Sequence, residues 1–301
     1  MTGRPVVTVG MPVYNGAKYL ESTLDALLAQ EFDAFELLIA DNGSTDGTSE
    51  ICGAYAARDG RIRYHRSTVN RGAAWNYNRL VPMASGRYFK WAAHDDLCRP
   101  EFLRMCVEVL DASPDSVVLC YPTTVLIGEH GEVVDPNFVD GLDRREPTPC
   151  GRLTSYVRHA GEQHAVFGLI RTDALRRTRL VGNFWGGDVA LLAELLLLGQ
   201  FWEIGDRLFL RRYHPGTSMF AHASFGEVAA WYDPAKQGRN ALPRTRLLAE
   251  LLAGVARSDL VVAERTRCAA AVLCGWTSRY WRQMGGEVKL AARHRVQSLT
   301  R

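Results

Sequence analysis

Two adjacent carboxylates, Asp95 and Asp96, follow the apolar stretch Tyr88 to Ala93. Neighbouring like charges repel, and a divalent cation relieves that repulsion. Carboxylate oxygens suit Mg²⁺ or Mn²⁺, and Mg²⁺ commonly bridges carboxylates to substrate phosphates. The alternative is a solvated turn in which Asp96 caps the next helix. Asp41 ends a second apolar stretch, ahead of Asn42-Gly43-Ser44-Thr45-Asp46-Gly47. Its carboxylate can accept from a ribose hydroxyl or a base N–H, or simply nucleate the turn. Tyr14 and Asn15 end the first apolar stretch, where a tyrosine can stack on a base or pack at a sheet edge. Asp188 follows Gly186 and Gly187 and starts a Leu-rich helix, so it reads as a cap or as a general base. His214 follows Arg211 and Arg212, a grouping suited to a diphosphate or a metal.

These residues need a scaffold that brings them together, and the hydrophobic pattern supplies one. Strand-like and helix-like segments alternate over residues 1–128. Val6–Val9, Phe35–Ala40, Ile62–His65, Tyr88–Ala93 and Val117–Ile127 read as strands. Helices are expected around Leu20–Leu28, over Thr48–Ala57, from Asn70 to Ala84, and from Pro100 to Ala112. This order predicts an α/β fold, an open and mostly parallel sheet with helices on both faces. Ligands bind such sheets at the carboxyl ends of strands. Tyr14-Asn15, Asp41-Asn42 and Asp95-Asp96 all fall at such ends. Residues 129–150, with Pro136, Pro147 and Pro149, read as a loop or lid. Residues 151–214 mix strands and helices, and the remainder reads as helical.

No G-x-G-x-x-G follows the first strand and no G-x-x-x-x-G-K-[ST] occurs, which disfavours dinucleotide oxidoreductases and P-loop NTPases. Seven cysteines without a C-x-x-C pair argue against a disulfide framework or structural zinc, and suit a reducing cytoplasm. The N-terminus lacks the apolar stretch of a signal peptide. The most apolar run, Val189–Leu198, is too short to span a bilayer. A soluble, cytoplasmic protein is expected, peripheral to a membrane at most. The net charge of +3 gives no reason to expect nucleic-acid binding. It hides a split: residues 239–301 hold 12 Lys+Arg against 4 Asp+Glu, so the preceding 238 residues carry 24 − 29 = −5.

Taken together, the segments resemble the inverting glycosyltransferases of family 2, with the GT-A fold. The matching pieces are Val9-Gly10-Met11-Pro12-Val13-Tyr14-Asn15-Gly16, Asp41 to Thr48, Asn70 with Gly72, Asn78, and Gly86 to Lys90 leading into Asp95-Asp96 and Pro100. The resemblance is strong over 5–128 and detectable to about 218. It implies a GT-A domain over 1–218, with a nucleotide-sugar-binding half (1–128) and an acceptor-binding half (129–218). A helical, basic extension then covers 219–301. It also implies a nucleoside-diphosphate-sugar donor, UDP- or dTDP-linked, and transfer of one sugar to an acceptor hydroxyl with inversion. The acceptor (a glycan, a lipid-linked molecule or a small molecule) is not readable.

By the same resemblance Pro12, Tyr14, Asn15, Asp41, Asn70, Asn78, Asp95 and Arg212 contact the donor. Asp95, Asp96 and His214 hold Mn²⁺ or Mg²⁺, and Asp188 is the catalytic base. The chain departs from the family in three respects. Ala93 stands at the first position of the usual Asp-x-Asp-Asp, Gly187-Asp188 replaces a frequent Glu-Asp, and the Gln-x-x-Arg-Trp of processive synthases is absent. The first two leave open a binding protein that has lost catalysis. A nucleotidyltransferase shares the architecture, but no triphosphate loop is seen near residue 10. The amphipathic tail, with Trp276, Tyr280 and Trp281 among its arginines, reads as packing on the catalytic domain, resting on an anionic membrane, or pairing in a homodimer.

Overall fold

The computed structural model describes residues 4–159, 163–217, 225–232 and 242–299. Its centre is a nine-stranded sheet in the order β3-β2-β1-β4-β8-β6-β9-β5, with β7 paired to β6. The strands are β1 (Val7–Val13), β2 (Phe35–Asp41), β3 (Ile62–Arg66), β4 (Tyr88–Trp91), β5 (Leu97–Cys98), β6 (Val117–Ile127), β7 (Val133–Asp135), β8 (Leu169–Arg171) and β9 (Gln200–Arg212).

The first four are parallel to their neighbours. β8 then enters antiparallel between β4 and β6, so the sheet is mixed beyond β4. Every residue of β1 and β2 is buried, as expected for strands covered on both faces. Alternate residues of β2 enter opposite cores. Leu38 and Ala40 join one, and Leu37 and Ile39 the other.

On one face lie α1 (Ala17–Leu28), α2 (Thr48–Arg58) and α4 (Phe102–Ala112). On the other lie α3 (Ala73–Asn78), α5 (Pro149–His159), α6 (Thr172–Arg176), α7 (Gly187–Leu198), α9 (Pro243–Arg257) and α10 (Val262–Leu299). The short α8 (Phe225–Tyr232) precedes α9.

β4 ends at Trp91 and α4 starts at Phe102, each two residues inside the expected bounds, and β7 and the start of α5 fall within the expected loop; two boundaries differ more. β1 runs on through Gly10 and Pro12 to Val13. Gly10 C=O accepts from Ala92 N–H on the β4 side. Pro12, two residues on, faces that same side beyond the end of β4, where its missing N–H costs nothing. α3 stops at Asn78 rather than Ala84. Pro82 cannot donate to continue a helix and disfavours helical backbone at Val81.

The basic tail packs on the body, where Arg257 donates to Glu194 of α7 at 2.9 Å and Arg279 to Arg158 C=O of α5 at 3.0 Å, and its own two helices are tied together. Trp276 is buried, and its indole N–H donates to Arg244 C=O at 3.2 Å. Glu287 of α10 accepts the backbone N–H of Arg244 and Thr245, at 3.0 and 3.1 Å. It thereby satisfies orphan donors at the start of α9 with a negative charge. Among the described residues no helix is long and apolar enough to cross a membrane.

Candidate active site at the sheet edge

The carboxyl ends of β1, β2 and β4 open into one cavity of about 650 Å³. Pro12, Tyr14, Asn15, Asn70, Asp95, Asp188 and His214 line it, so most of the expected site residues share one wall. The conformation of the turn after β1 is fixed by its backbone and by the neighbouring turn. Asn15 takes a left-handed conformation at φ 50°. Its side-chain oxygen accepts Thr45 N–H at 2.9 Å, tying the β1 turn to the β2 turn. A β-carbon on Gly16 would lie 2.5 Å from the His94 ring, so only glycine lets these segments meet.

Asp95 and Asp96 are divided by β9. β5 pairs antiparallel with β9, Leu97 opposite Leu210, which brings Asp96 beside Arg211. Asp96 is buried, with one oxygen 2.7 Å from the Arg211 guanidinium and the other accepting Arg212 N–H at 2.9 Å. Burial and the nearby Asp95 charge push its pKa up, against the pull of Arg211. Asp96, expected as a metal ligand with Asp95, is therefore committed to β9 and does not line the cavity.

Asp95 faces the cavity. Its Oδ2 is 3.0 Å from His214 Nε2. The other His214 nitrogen accepts Gly216 N–H at 3.2 Å, and Tyr19 lies against the ring at 4.6 Å between centroids. Burial raises the Asp95 pKa. The hydrogen bond from His214 and the charges of His94 and Arg211 outweigh it and hold the carboxyl well below the usual range.

With Nδ1 accepting, Nε2 carries the proton, so His214 donates to Asp95 and the two groups meet each other on the cavity wall. Among the described residues no group of three or more His, Cys, Asp or Glu could enclose a metal. Asp95 would hold a divalent cation beside a substrate phosphate, and His214 would join it once its Nε2 gives up the proton it donates to Asp95.

Three other expected donor contacts lie off the wall. Asp41 is buried and accepts Ser44 N–H and the Tyr64 hydroxyl, both at 2.8 Å. Asn78 exchanges two hydrogen bonds with the backbone of Val181, each 2.9 Å. The Arg212 guanidinium donates to the carbonyls of Asp95 and Glu129 at 2.9 Å, bracing the Asp95 turn from behind. All three shape the cavity without facing it, because strand-end polar groups must first satisfy the buried backbone around them.

Asp188 opens α7, its Oδ1 accepting Val189 N–H at 2.9 Å. Gly186 is left-handed at φ 81°, turning the chain into the helix. A β-carbon on Gly187 would lie 2.2 Å from Gly182 C=O. No side chain has room at this position, and close backbone packing takes its place. Tyr77 joins the two halves of the site. Tyr77 is half-buried on the cavity wall, and desolvation pushes its hydroxyl pKa up, with Arg211 pulling it down and Asp95, Asp96 and Asp188 adding to the rise.

The sequence reading missed Asn76 and the pair His164–Asp140. Asn76 is buried and donates to Ala40 C=O at 2.7 Å, joining α3 to the end of β2. His164 lines the cavity, its Nδ1 3.0 Å from Asp140. Asp140 is itself fixed by the backbone N–H and hydroxyl of Thr124. No motif marks either residue, since Asp140 lies in the segment read as an irregular loop.

The family model for glycosyl transferase family 2 matches residues 8–158, half of the chain. The chain belongs to glycosyltransferase family 2. The match covers the cavity's β1, β2 and β4 walls and Asp95. An uncharacterized glycosyltransferase of Rickettsia felis is 32% identical over 130 residues, which are 42% of this chain and 21% of that protein. The chain spans about a fifth to over a third of the length of the first curated relatives it matches. Among solved structures, Staphylococcus aureus TarS 1–349 in complex with UDP-GlcNAc has a TM-score of 0.65 at 17% identity, over 90% of this chain and 72% of that one. The mannosyltransferase PcManGT of Pyrobaculum calidifontis, in complex with GDP-Man and Mn²⁺, has a TM-score of 0.55 at 17% identity, over 99% and 81%. These likenesses show the GT-A fold for this chain, which also carries the helices α9 and α10.

Proposed function

We propose that this glycosyltransferase moves a single sugar from a nucleoside-diphosphate sugar, UDP- or dTDP-linked, to an acceptor hydroxyl with inversion. The observation that carries the reading is one cavity lined by Tyr14, by the Asp95–His214 pair and by Asp188. TarS and PcManGT, each in complex with a nucleotide sugar, share the fold.

Tyr14 and Pro12 offer an apolar floor for the base. Asn15, Asn42 and Asn70 offer amide groups within the same cavity. Asp95, ionised and aimed inward, and His214 would hold Mn²⁺ or Mg²⁺. Such a cation, when bound, offsets charge on the leaving diphosphate. Asp188 accepts the proton of the acceptor hydroxyl as its oxygen bonds to the anomeric carbon. The bond from that carbon to the diphosphate breaks, and the electron pair leaves with the nucleoside diphosphate. Attack opposite the leaving group inverts the anomeric centre. The half-buried start of α7 holds Asp188 on a rigid element, which favours a positioned base.

The test is release of nucleoside diphosphate from a panel of donors with Mn²⁺. Turnover that stops in chelator and returns with Mn²⁺ supports the reading. Binding without release from any donor overturns it in favour of a binding protein.

The outer face of α10 supports a peripheral membrane site for the same enzyme. Leu273, Trp281 and Val288 are exposed at spacings of eight and seven residues, one helical stripe. Arg267, Arg282 and Lys289 border it. An apolar stripe with a basic edge matches an anionic bilayer. Co-sedimentation with anionic vesicles at low salt tests this. Failure to bind overturns it, and a dimer in solution would assign the stripe to a second copy.

A further inference from the structure

A second cavity of about 430 Å³ adjoins the first across Ala74, Val181 and Tyr232. Its wall holds Arg71, Arg179, Arg246 and Arg257 against Glu194 and Glu250, a balance of 4 − 2 = +2. The glutamates act as braces. Glu194 accepts Arg179 N–H at 2.8 Å and the Arg257 guanidinium at 2.9 Å. Glu250 sits 3.8 Å from Arg179 and 3.9 Å from Arg246, beyond hydrogen-bond distance.

Three guanidinium groups, on Arg71, Arg179 and Arg246, therefore make no hydrogen bond among the described residues. Two of them are set in place by aromatic rings. Arg71 lies 4.9 Å from the Trp75 centroid, and Arg246 lies 4.8 Å from that of Phe184. Oriented guanidinium forks with unused donors are suited to binding oxyanions through paired hydrogen bonds. Two connections tie this cavity to the reaction site. Asn70 faces the first cavity and its neighbour Arg71 the second. Helix α7 starts with Asp188 in the first and carries Glu194 in the second. They are six positions apart on the helix, a rise of roughly 9 Å.

We propose that this cavity binds an oxyanion carried by the acceptor, a phosphate or a carboxylate, about one sugar away from the attacking hydroxyl. The assignment to the acceptor rests on the reading of Asp188 as base. The oxyanion site itself rests only on the arginines. It gives the enzyme a preference for anionic acceptors, and salt weakens it.

The test titrates the intact protein with inorganic phosphate and separately with acetate, in chelator, by calorimetry. Saturable binding is expected, and the tighter of the two anions names the group. Arg179→Ala/Arg246→Ala should weaken it about tenfold or more, and Arg71→Ala, at an exposed side chain, should do so independently. Asp188→Asn should leave it unchanged. No saturable binding of either anion, or equal binding in the double variant, overturns the proposal. Hydrolysis of the donor by water needs no acceptor, so the double variant should retain wild-type hydrolysis. Loss of hydrolysis in the double variant would place these arginines in the donor site and overturn the assignment. Absence of hydrolysis in the wild type would instead count against glycosyl transfer, leaving the phosphate titration to judge the arginine site alone.

Discussion

Asp95 and His214 stand 119 residues apart in sequence and 3.0 Å apart in space. The contact joins the end of the parallel half of the sheet to the segment that follows β9. It closes one side of the proposed donor cavity.

Because the two side chains act at one point, their losses should not add. Asp95→Asn and His214→Ala are each expected to lower transfer at least about 10²-fold. The double variant should be little worse than either single one. Steady-state kinetics across a Mn²⁺ titration would check this. Strictly additive losses would show that the residues serve separate purposes.

Asp96→Ala should behave differently from Asp95→Asn. It removes the partner of a buried guanidinium and leaves Arg211 charged and unpaired. A stability loss of about 3–5 kcal/mol is expected, read by urea denaturation. Asp95→Asn should shift the midpoint far less while affecting turnover more.

Asp188→Asn removes the base but keeps the side-chain oxygen that accepts Val189 N–H. Transfer should fall by about 10²–10⁴-fold with donor binding unchanged. Turnover near that of the wild type would take the base away from Asp188.

Gly187→Ala places a β-carbon against the Gly182 carbonyl. Backbone cannot yield as a flexible side chain would, so a cost of about 1–3 kcal/mol is expected. The start of α7 should shift, and kcat should fall along with stability. A fully active, fully stable variant would show that the two segments part easily.

Acid sensitivity of the fold should trace in part to Glu36. Burial raises its pKa, but hydrogen bonds from Ser85, Thr8 and Arg63 outweigh it and lower the value below 4.5. A depressed folded pKa gives stability that is present above the unfolded value and lost as pH falls through the folded one. Glu36→Gln should cost about 1 kcal/mol at pH 7. It should also flatten the loss of stability below pH 4.5, measured as urea midpoints against pH.

The sequence by itself determined the order of elements and the edge at which chemistry gathers. β-branched and apolar runs with strand lengths, separated by helical spacing, require a covered parallel sheet, and polar residues at strand ends then share one edge. The strand-end pairs Tyr14-Asn15, Asp41-Asn42 and Asp95-Asp96 were enough to mark that edge. Tertiary structure alone decided which polar groups face the cavity. Asp95 and Asp96 are chemically identical neighbours, and only the register of β9 against β5 gives Asp96 to Arg211 and leaves Asp95 for His214. Asp41 and Asn78 turn inward for the same reason, since their partners, Tyr64 and Val181, are set by packing. Local pattern is encoded by residues a turn or a pleat apart. A side chain's partner is fixed by contacts 23 to 119 residues away, and those exist only once the sheet has assembled.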